Sequence, residues 1–458
     1  MIVGAGAMAC TNKPSTESDV PTDLVVILVP GLRAEGSNSG AESQFWKKIG
    51  RTPDVRYTSA YAQTPSPRVS IGSMLTGMYP SAIPLCGRYV PREYDLQDRG
   101  QNEQAWCATI PPDRHTWPKV LSLYDYRTVL IRGPAPGAEH IDPAFNEVIE
   151  INSPQRNWVS DWPRMREKAR SWWQANSDSP RLLVVLATDL ELPALSRFFD
   201  ESGMAPEYPG DKGAIAHPDV LRKRYTEEAA KAGTAIGGIL EDLQVSDRPV
   251  WSVVTSTHGV SLGERSPPSA QERAQAYDHL KLPTTQILMD RTTHVPLALF
   301  GPTQRNKVVE DPVELIDVFP TLAGLSKATE PAQLQGDNLL SATDENPVAY
   351  SEFGDMLALR KDNLLLTFRC FLHNGTSLDP ELTSRFEKAP LQGEFFSLHD
   401  VVKDSMQQEN LQKSQPEQVE TLRNALLNQR KGPGAPPPDA LGAEELKALR
   451  LTPALGYW

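Results

Sequence analysis

Five short apolar runs constrain this chain most: Leu24 to Val29, Arg127 to Ile131, Leu182 to Ala187, Val250 to Thr255 and Val295 to Phe300. The first four carry at least two β-branched residues and the last only Val295, and each gives way to Gly or polar residues. A strand covered by helices on both faces needs apolar side chains at every position, so it reads as a continuous run without alternation. Helical patterns lie between and after the runs, over Asp161 to Gln174, Asp219 to Leu243 and Asp311 to Leu325. The last opens with Asp-Pro and carries a 3.6-residue apolar spacing. Strands separated by helices predict a large, mostly parallel, doubly wound α/β sheet with helices on both faces. In such sheets ligands sit beyond the carboxyl ends of the strands, which is where Pro30, Asp189 and Thr257 are expected.

At 458 residues the chain exceeds what one hydrophobic core ordinarily organises, so a second unit is expected. The α/β domain is assigned to residues 23–330 and a smaller C-terminal α+β subdomain to 331–430. In that subdomain Val348 to Phe353, Met356 to Phe368 and Gly393 to Leu398 read as antiparallel strands, with the helix Gln415 to Arg430 packed on them. Residues 431–458 form a Pro-rich linker, Lys431 to Pro438, and a tail that docks back on the body.

A net charge of −12, with no long Lys/Arg cluster, argues against nucleic acid as a partner, because neutralising phosphates requires a basic face. No apolar stretch approaches the roughly 20 residues that span a bilayer as a helix. Residues 1–22 are expected to be a signal remnant or lipoprotein tether, the alternative being a disordered tail: the small apolar run Met1 to Ala9 precedes Cys10 and a polar segment, and resembles the end of a bacterial lipoprotein signal. Cys10 would then carry the lipid, and the protein would be exported to the periplasm or cell surface, with the anchor as its only membrane contact. Cys86 and Cys107 could form a disulfide in that compartment, leaving Cys370 unpaired; the alternative is three thiols.

Several segments, in collinear order, resemble the sulfatase family of the alkaline phosphatase superfamily. They are the opening strand Asp23 to Glu35, Leu75-Thr-Gly-Met-Tyr-Pro80, Thr255-Ser-Thr-His-Gly259 with Gly263-Glu264, Val313 to Leu325, Leu334-Gln-Gly-Asp-Asn-Leu-Leu340, and Leu455-Gly-Tyr457. The resemblance implies transfer of a sulfuryl or phosphoryl group to a nucleophile, with a divalent cation balancing the ester's charge. It also implies where this chain departs from the family. Pro30 and Thr257 stand where the family has metal-binding Asp, and neither supplies the charged oxygen a hard cation needs. The formylglycine position falls at Pro67 or Thr64, according to the anchor used for counting, and neither residue can be oxidised to formylglycine. Thr64, Ser66 or Ser70 could offer an unmodified hydroxyl; the structural alternative is a turn and a cap for the helix carrying Met74 and Leu75. Glu191 replaces a substrate-side His, and Thr226 and Gly233 replace two further Asp.

Thr64, Ser66, Arg68 and His258 are therefore the catalytic candidates, and Asp189, Glu191 and His294 the substrate-binding candidates. No metal ligand set and no cofactor is expected. The resulting expectation is a catalytically degenerate sulfatase-like protein that binds a glycan, an anionic ligand or an envelope protein. The rival is an active sulfuric ester or phosphoester hydrolase that holds calcium or another divalent cation through relocated ligands, namely Glu35, Asp189, His258 and Glu264.

Overall fold

The computed structural model describes residues 20–34, 40–83, 110, 114–133, 138–151, 160–190, 218–262, 288–303, 305–341, 347–353, 356–369, 389, 391 and 395–431. In chain order the large domain contains β1 (Asp23–Leu28), α1 (Ala41–Ile49), β2 (Val55–Tyr61), α2 (Pro67–Thr76), α3 (Trp117–Ser122), β3 (Arg127–Arg132) and β4 (Glu147–Glu150). It continues through α4 (Trp162–Ala175), β5 (Arg181–Leu186), α5 (Pro218–Leu243), β6 (Val250–Thr255), β7 (His294–Phe300), β8 (Lys307–Val309), β9 (Val313–Glu314) and α6 (Val318–Ser326). The strands form one sheet in the order β4-β3-β5-β1-β6-β7-β2-β8, with β9 also on β2.

The sheet is mostly parallel and wound on both faces. β1 shows why. Leu24, Val26 and Leu28 point into one core, against Ile71 and Met74 of α2, Trp117 of α3 and Phe319 of α6. Val25, Ile27 and Val29 point into the other, against Phe45 of α1, Trp173 of α4 and Ile236 of α5. All six are at most 1% exposed, and burying each side chain contributes on the order of 1.5–3 kcal/mol. The strand therefore needs no polar face.

Three readings of the sequence are corrected. β7, read as parallel, is antiparallel to both neighbours, β6 and β2. Both faces of β7 are buried, so its apolar run could not reveal direction; it starts at the edge where β6 ends. The helix expected over Asp311 to Leu325 begins only at Val318, because Val313 and Glu314 pair with Ala60 and Tyr61 and a 3-10 turn, Leu315–Asp317, intervenes. The strand expected over Met356 to Phe368 is a hairpin, β11 (Met356–Lys361) and β12 (Leu364–Arg369), turned at Asp362 with φ of 50°.

β11 and β12 sit in a four-stranded antiparallel sheet between β10 (Ala349–Phe353) and β13 (Phe396–Asp400), in sequence order. The helix α7 (Pro416–Lys431) lays Val419, Leu422 and Leu426 on one face of it, over Leu359, Leu366 and Phe368. β2 was not legible as an apolar run, since Arg56, Thr58 and Ser59 alternate with buried residues and the pairing shifts register between Tyr57 and Ala60. Among the described residues no helix is long and apolar enough to cross a membrane. Cys10, Cys86, Cys107, Cys370, Glu35, Glu191, Glu264 and the tail after Lys431 lie outside the described residues.

Candidate functional site

Pro30, Asp189 and Thr257 all lie just past the carboxyl ends of β1, β5 and β6, which are neighbours in the order β5-β1-β6. The chain leaves β1 through a tight turn. Leu32 N donates to Val29 O at 3.1 Å, with Pro30 and then Gly31, φ 84°, at the two central positions. Proline presets the first of these and glycine alone takes the second without strain, the residue pattern of a type II turn. Pro30 is a buried turn residue here.

The turn is fixed from both sides. Gly31 N donates to the His258 carbonyl at 3.0 Å. The Tyr225 hydroxyl, from α5, donates to Gly31 O at 2.7 Å and accepts from Arg33 N at 2.9 Å. Arg33 donates to Val260 O at 3.2 Å and lies over the Tyr225 ring at 5.6 Å. Sequence reasoning missed the roles of Tyr225 and Arg33. Arg33 follows the turn pair closely, and Tyr225 is a lone aromatic at the start of an Ala-rich helix; both were visible, but their meeting was not.

On the other side of Pro30, Thr257 and His258 are both fully buried, and the Thr257 hydroxyl lies 2.8 Å from His258 Nδ1. Burial lowers the His258 pKa to about 3, so the ring is neutral. Its Nε2 has no hydrogen-bond partner among the described residues. The Thr257 carbonyl accepts from the Ser70 hydroxyl of α2, joining this loop to the segment that carries Thr64, Ser66 and Arg68. Ser70 is thereby committed to a backbone contact.

Thr64 and Ser66 are buried, and Arg68 is half-buried on the first turn of α2. Ser66 occupies the N-cap with Pro67 at the first helical position, yet its side chain makes no capping hydrogen bond. The Thr64 hydroxyl accepts from Ser66 N at 3.4 Å. Next to them His140 Nε2 is 3.1 Å from the Arg68 carbonyl. This histidine was not singled out from the sequence, where it stands alone in a Pro- and Gly-rich stretch.

Asp189, past β5, accepts from Ser160 N at 3.0 Å through Oδ1, while Oδ2 has no partner among the described residues. Burial first, opposed by the Ser160 bonds and reinforced by the Glu228 carboxylate, raises its pKa to about 7. His294 belongs to another cluster. Its Nδ1 is 3.4 Å from Asp290 Oδ2, its Nε2 is 2.8 Å from the Thr58 carbonyl, and its ring stacks on Tyr61 at 4.8 Å. Burial works against its charge, but Asp290 and the Thr58 carbonyl prevail and raise its pKa. The ring is committed to this junction.

Thr226 and Gly233, where the resemblance implies two further Asp, make structural contacts. The Thr226 hydroxyl donates to Arg222 O within its own helix at 3.0 Å. Gly233 is where α5 crosses α1: a Cβ there would run into the Phe45 carbonyl and lie 3.1 Å from Lys48 Cβ. Among the described residues no three His, Cys, Asp or Glu side chains come together as a metal-holding group. A hard divalent ion needs several charged oxygens, whereas Pro30 has none, Thr257 is paired with His258, and Asp189 is a single carboxylate. Among the described residues, Pro30, Thr257 and Asp189 do not make up such a ligand set.

No family model matches the chain. It is 26% identical over 144 residues to the uncharacterised sulfatase YidJ of Escherichia coli, a match covering 31% of this chain and 25% of that protein. The matched part thus spans a quarter of that relative's length. Solved structures match nearly end to end. The phosphonate monoester hydrolase SpPMH from Silicibacter pomeroyi superposes with a TM-score of 0.61 at 14% identity, over 90% of this chain and 95% of that one. Ps i-CgsB, in complex with k-i-k-neocarrahexaose, does so with a TM-score of 0.59 at 15% identity, over 94% and 98%. The chain has the sulfatase and alkaline phosphatase-like fold. The side chains at the carboxyl ends of β1, β5 and β6 in this fold are those described above.

Proposed function

We propose that this sulfatase-like protein is catalytically degenerate and uses the cleft at the carboxyl ends of β1, β5 and β6 to bind a glycan or another anionic ligand. The observation that carries the reading is the pair of positions just past the carboxyl ends of β1 and β6. Pro30 is consumed in a turn, and Thr257 is buried against a neutral His258, so neither offers charge to a cation. Binding is supported by the relative Ps i-CgsB, whose structure holds k-i-k-neocarrahexaose in the same fold. Thr64, just before α2, and Arg68, on its first turn, belong to the segment joined to Thr257 through Ser70 and are the side chains proposed to meet that ligand. The protein is proposed to act in the cell envelope, exported and anchored through a lipid on Cys10.

The test is made on the chain purified without chelator and dialysed against calcium, magnesium, manganese and zinc. Elemental mass spectrometry should find no stoichiometric ion, and aryl sulfate and aryl phosphate should not turn over. Sulfated oligosaccharides should bind by calorimetry, more weakly to Arg68→Ala. One bound ion with chelator-sensitive turnover would replace this reading with that of a hydrolase using relocated ligands. Incorporation of labelled palmitate that disappears in Cys10→Ala would support the anchor.

A further inference from the structure

A second cluster of titratable groups lies under the Thr64 loop, where the C-terminal sheet meets the large domain. Glu314 in β9 is buried; its carboxylate accepts from the Tyr79 hydroxyl and from Tyr350 N of β10, both at 2.7 Å. Tyr79, just past α2, in turn accepts from Gln429 of α7. Asp317 accepts from Glu314 N and from Asp337 N, both at 2.8 Å. On the same strand as Tyr350, Glu352 accepts from Ser81 N and from the Tyr350 hydroxyl. The cluster thus touches α2, β9, β10 and α7 at once.

β10 also holds the loop directly. Glu352 N donates to Gln63 O at 2.8 Å, and the Ser351 hydroxyl donates to Ala62 O at 2.7 Å. Thr64 is the next residue. Gln63 itself is fully buried, its carboxamide contacts the Glu314 carboxylate, and its Oε1 has no partner among the described residues. An orphan acceptor beside a buried carboxyl group is costly unless that group carries a proton to give it.

We infer that the C-terminal sheet is latched to the loop carrying Thr64, Ser66 and Arg68 by protonation of the Glu314 and Asp317 carboxyls. With Glu314 neutral, its proton can be donated to Gln63 Oε1 once that amide turns, giving up the bond its Nε2 makes to the Tyr61 carbonyl, while Tyr350 N and Tyr79 keep their bonds. With both carboxylates charged, two like charges sit in a dry junction, and their repulsion favours water entry and separation of β10 from the loop.

The groups facing the pair are Tyr79 from the α2 side, Tyr57 from β2, Tyr350 and Glu352 from β10 and Asp337 from the segment after α6. No cation forms an ion pair with Glu314 or Asp317 among the described residues. Burial, joined by the charge of Asp317, raises Glu314, against the hydrogen bonds of Tyr79, Tyr350 and Gln63. Burial likewise raises Asp317 against the bonds from Glu314 N and Asp337 N. Both folded values lie above the unfolded ones, so the stability they contribute is complete below the unfolded carboxylate range and is lost as pH rises through the folded values.

Amide hydrogen exchange on the full chain tests the latch, with rates corrected for intrinsic pH dependence and read between pH 6 and 9. Peptides covering 61–66 and 79–83 should lose protection relative to core peptides of β1 and β5, by up to about tenfold per pH unit for each proton released. Glu314→Gln and Asp317→Asn should each flatten that slope. Loop peptides that track the core at every pH in the wild type would overturn the inference, as would an unchanged slope in a folded Glu314→Gln. If neither variant folds, the wild-type comparison alone decides. Metal content and ligand affinity do not enter this readout, so it stands or falls separately from the proposed function.

Discussion

Replacing Thr257 with Asp, the residue the sulfatase resemblance expects there, asks what this cleft floor can hold. Thr257 is fully buried, and its hydroxyl makes the 2.8 Å contact with His258 Nδ1. Asp189, two strands away on the same sheet edge, calibrates the cost of a carboxylate in such a place: burial moves it from 3.8 to about 7. A carboxylate at position 257 with a similar value, against about 3.9 when unfolded, would destabilise the protein by about 1.5 kcal/mol at pH 5 and about 4 kcal/mol at pH 7. The raised folded value means the cost is absent below pH 4 and grows as pH rises. Loss of the Thr–His bond adds about 1 kcal/mol at every pH. Urea unfolding of Thr257→Asp in chelator, at pH 5 and pH 7, measures this. Adding calcium at a hundred times its dissociation constant would return about 2.7 kcal/mol if the new carboxylate created a cation site. With Pro30 still in place no such return is expected, whereas Pro30→Asp combined with Thr257→Asp should show one. A Thr257→Asp protein as stable as the wild type in chelator at pH 7 would refute the dry, metal-unready floor.

Three further outcomes follow from single contacts. Gly233→Asp, although the sulfatase resemblance implies Asp there, should cost about 3 kcal/mol or more in urea unfolding, because its Cβ must push α1 from α5 at the Phe45 carbonyl; a neutral result would mean the two helices separate easily. Tyr225→Phe strands the Arg33 amide and the Gly31 carbonyl and should lower stability by about 2 kcal/mol, with hydrogen exchange rising at residues 30–34. Asp290→Asn should destabilise most near pH 5–6. Asp290 is lowered despite its burial because His294, Arg360 and Arg291 outweigh desolvation, so its contribution is lost as pH falls through that value; His294 is raised, so its contribution is lost as pH climbs through its folded value. An Asp290→Asn penalty that is flat from pH 5 to pH 9 would remove the charge from His294.

The large sheet was legible because its strands are buried on both faces, and that requirement writes an uninterrupted apolar run into the sequence. Its helices α4 and α5 were legible as the segments Asp161 to Gln174 and Asp219 to Leu243 between the apolar runs. The direction of β7, the strand β2 and the shortened α6 were not, because buried faces carry no mark of direction and because β2 is half polar at a register shift. The site was legible in its positions, since Pro30, Asp189 and Thr257 do fall at adjacent strand ends.

What those positions do was settled by contacts between residues far apart in the chain. The sequence by itself placed Pro, Thr, Gly and Thr at 30, 226, 233 and 257, positions where its resemblance to the sulfatase family implies Asp. Only the tertiary structure decided what took each place: a turn closed by Tyr225, a helix bond, a helix crossing and a buried pair with His258. It also tied the His294 ring to Asp290, Thr58 and Tyr61 and brought Glu314, Tyr79 and Gln63 together at the junction with β10. Backbone propensity and apolar period act over a few residues and can be read locally. Hydrogen-bond partners and the burial that shifts a pKa depend on atoms hundreds of residues away, and folding alone brings them together.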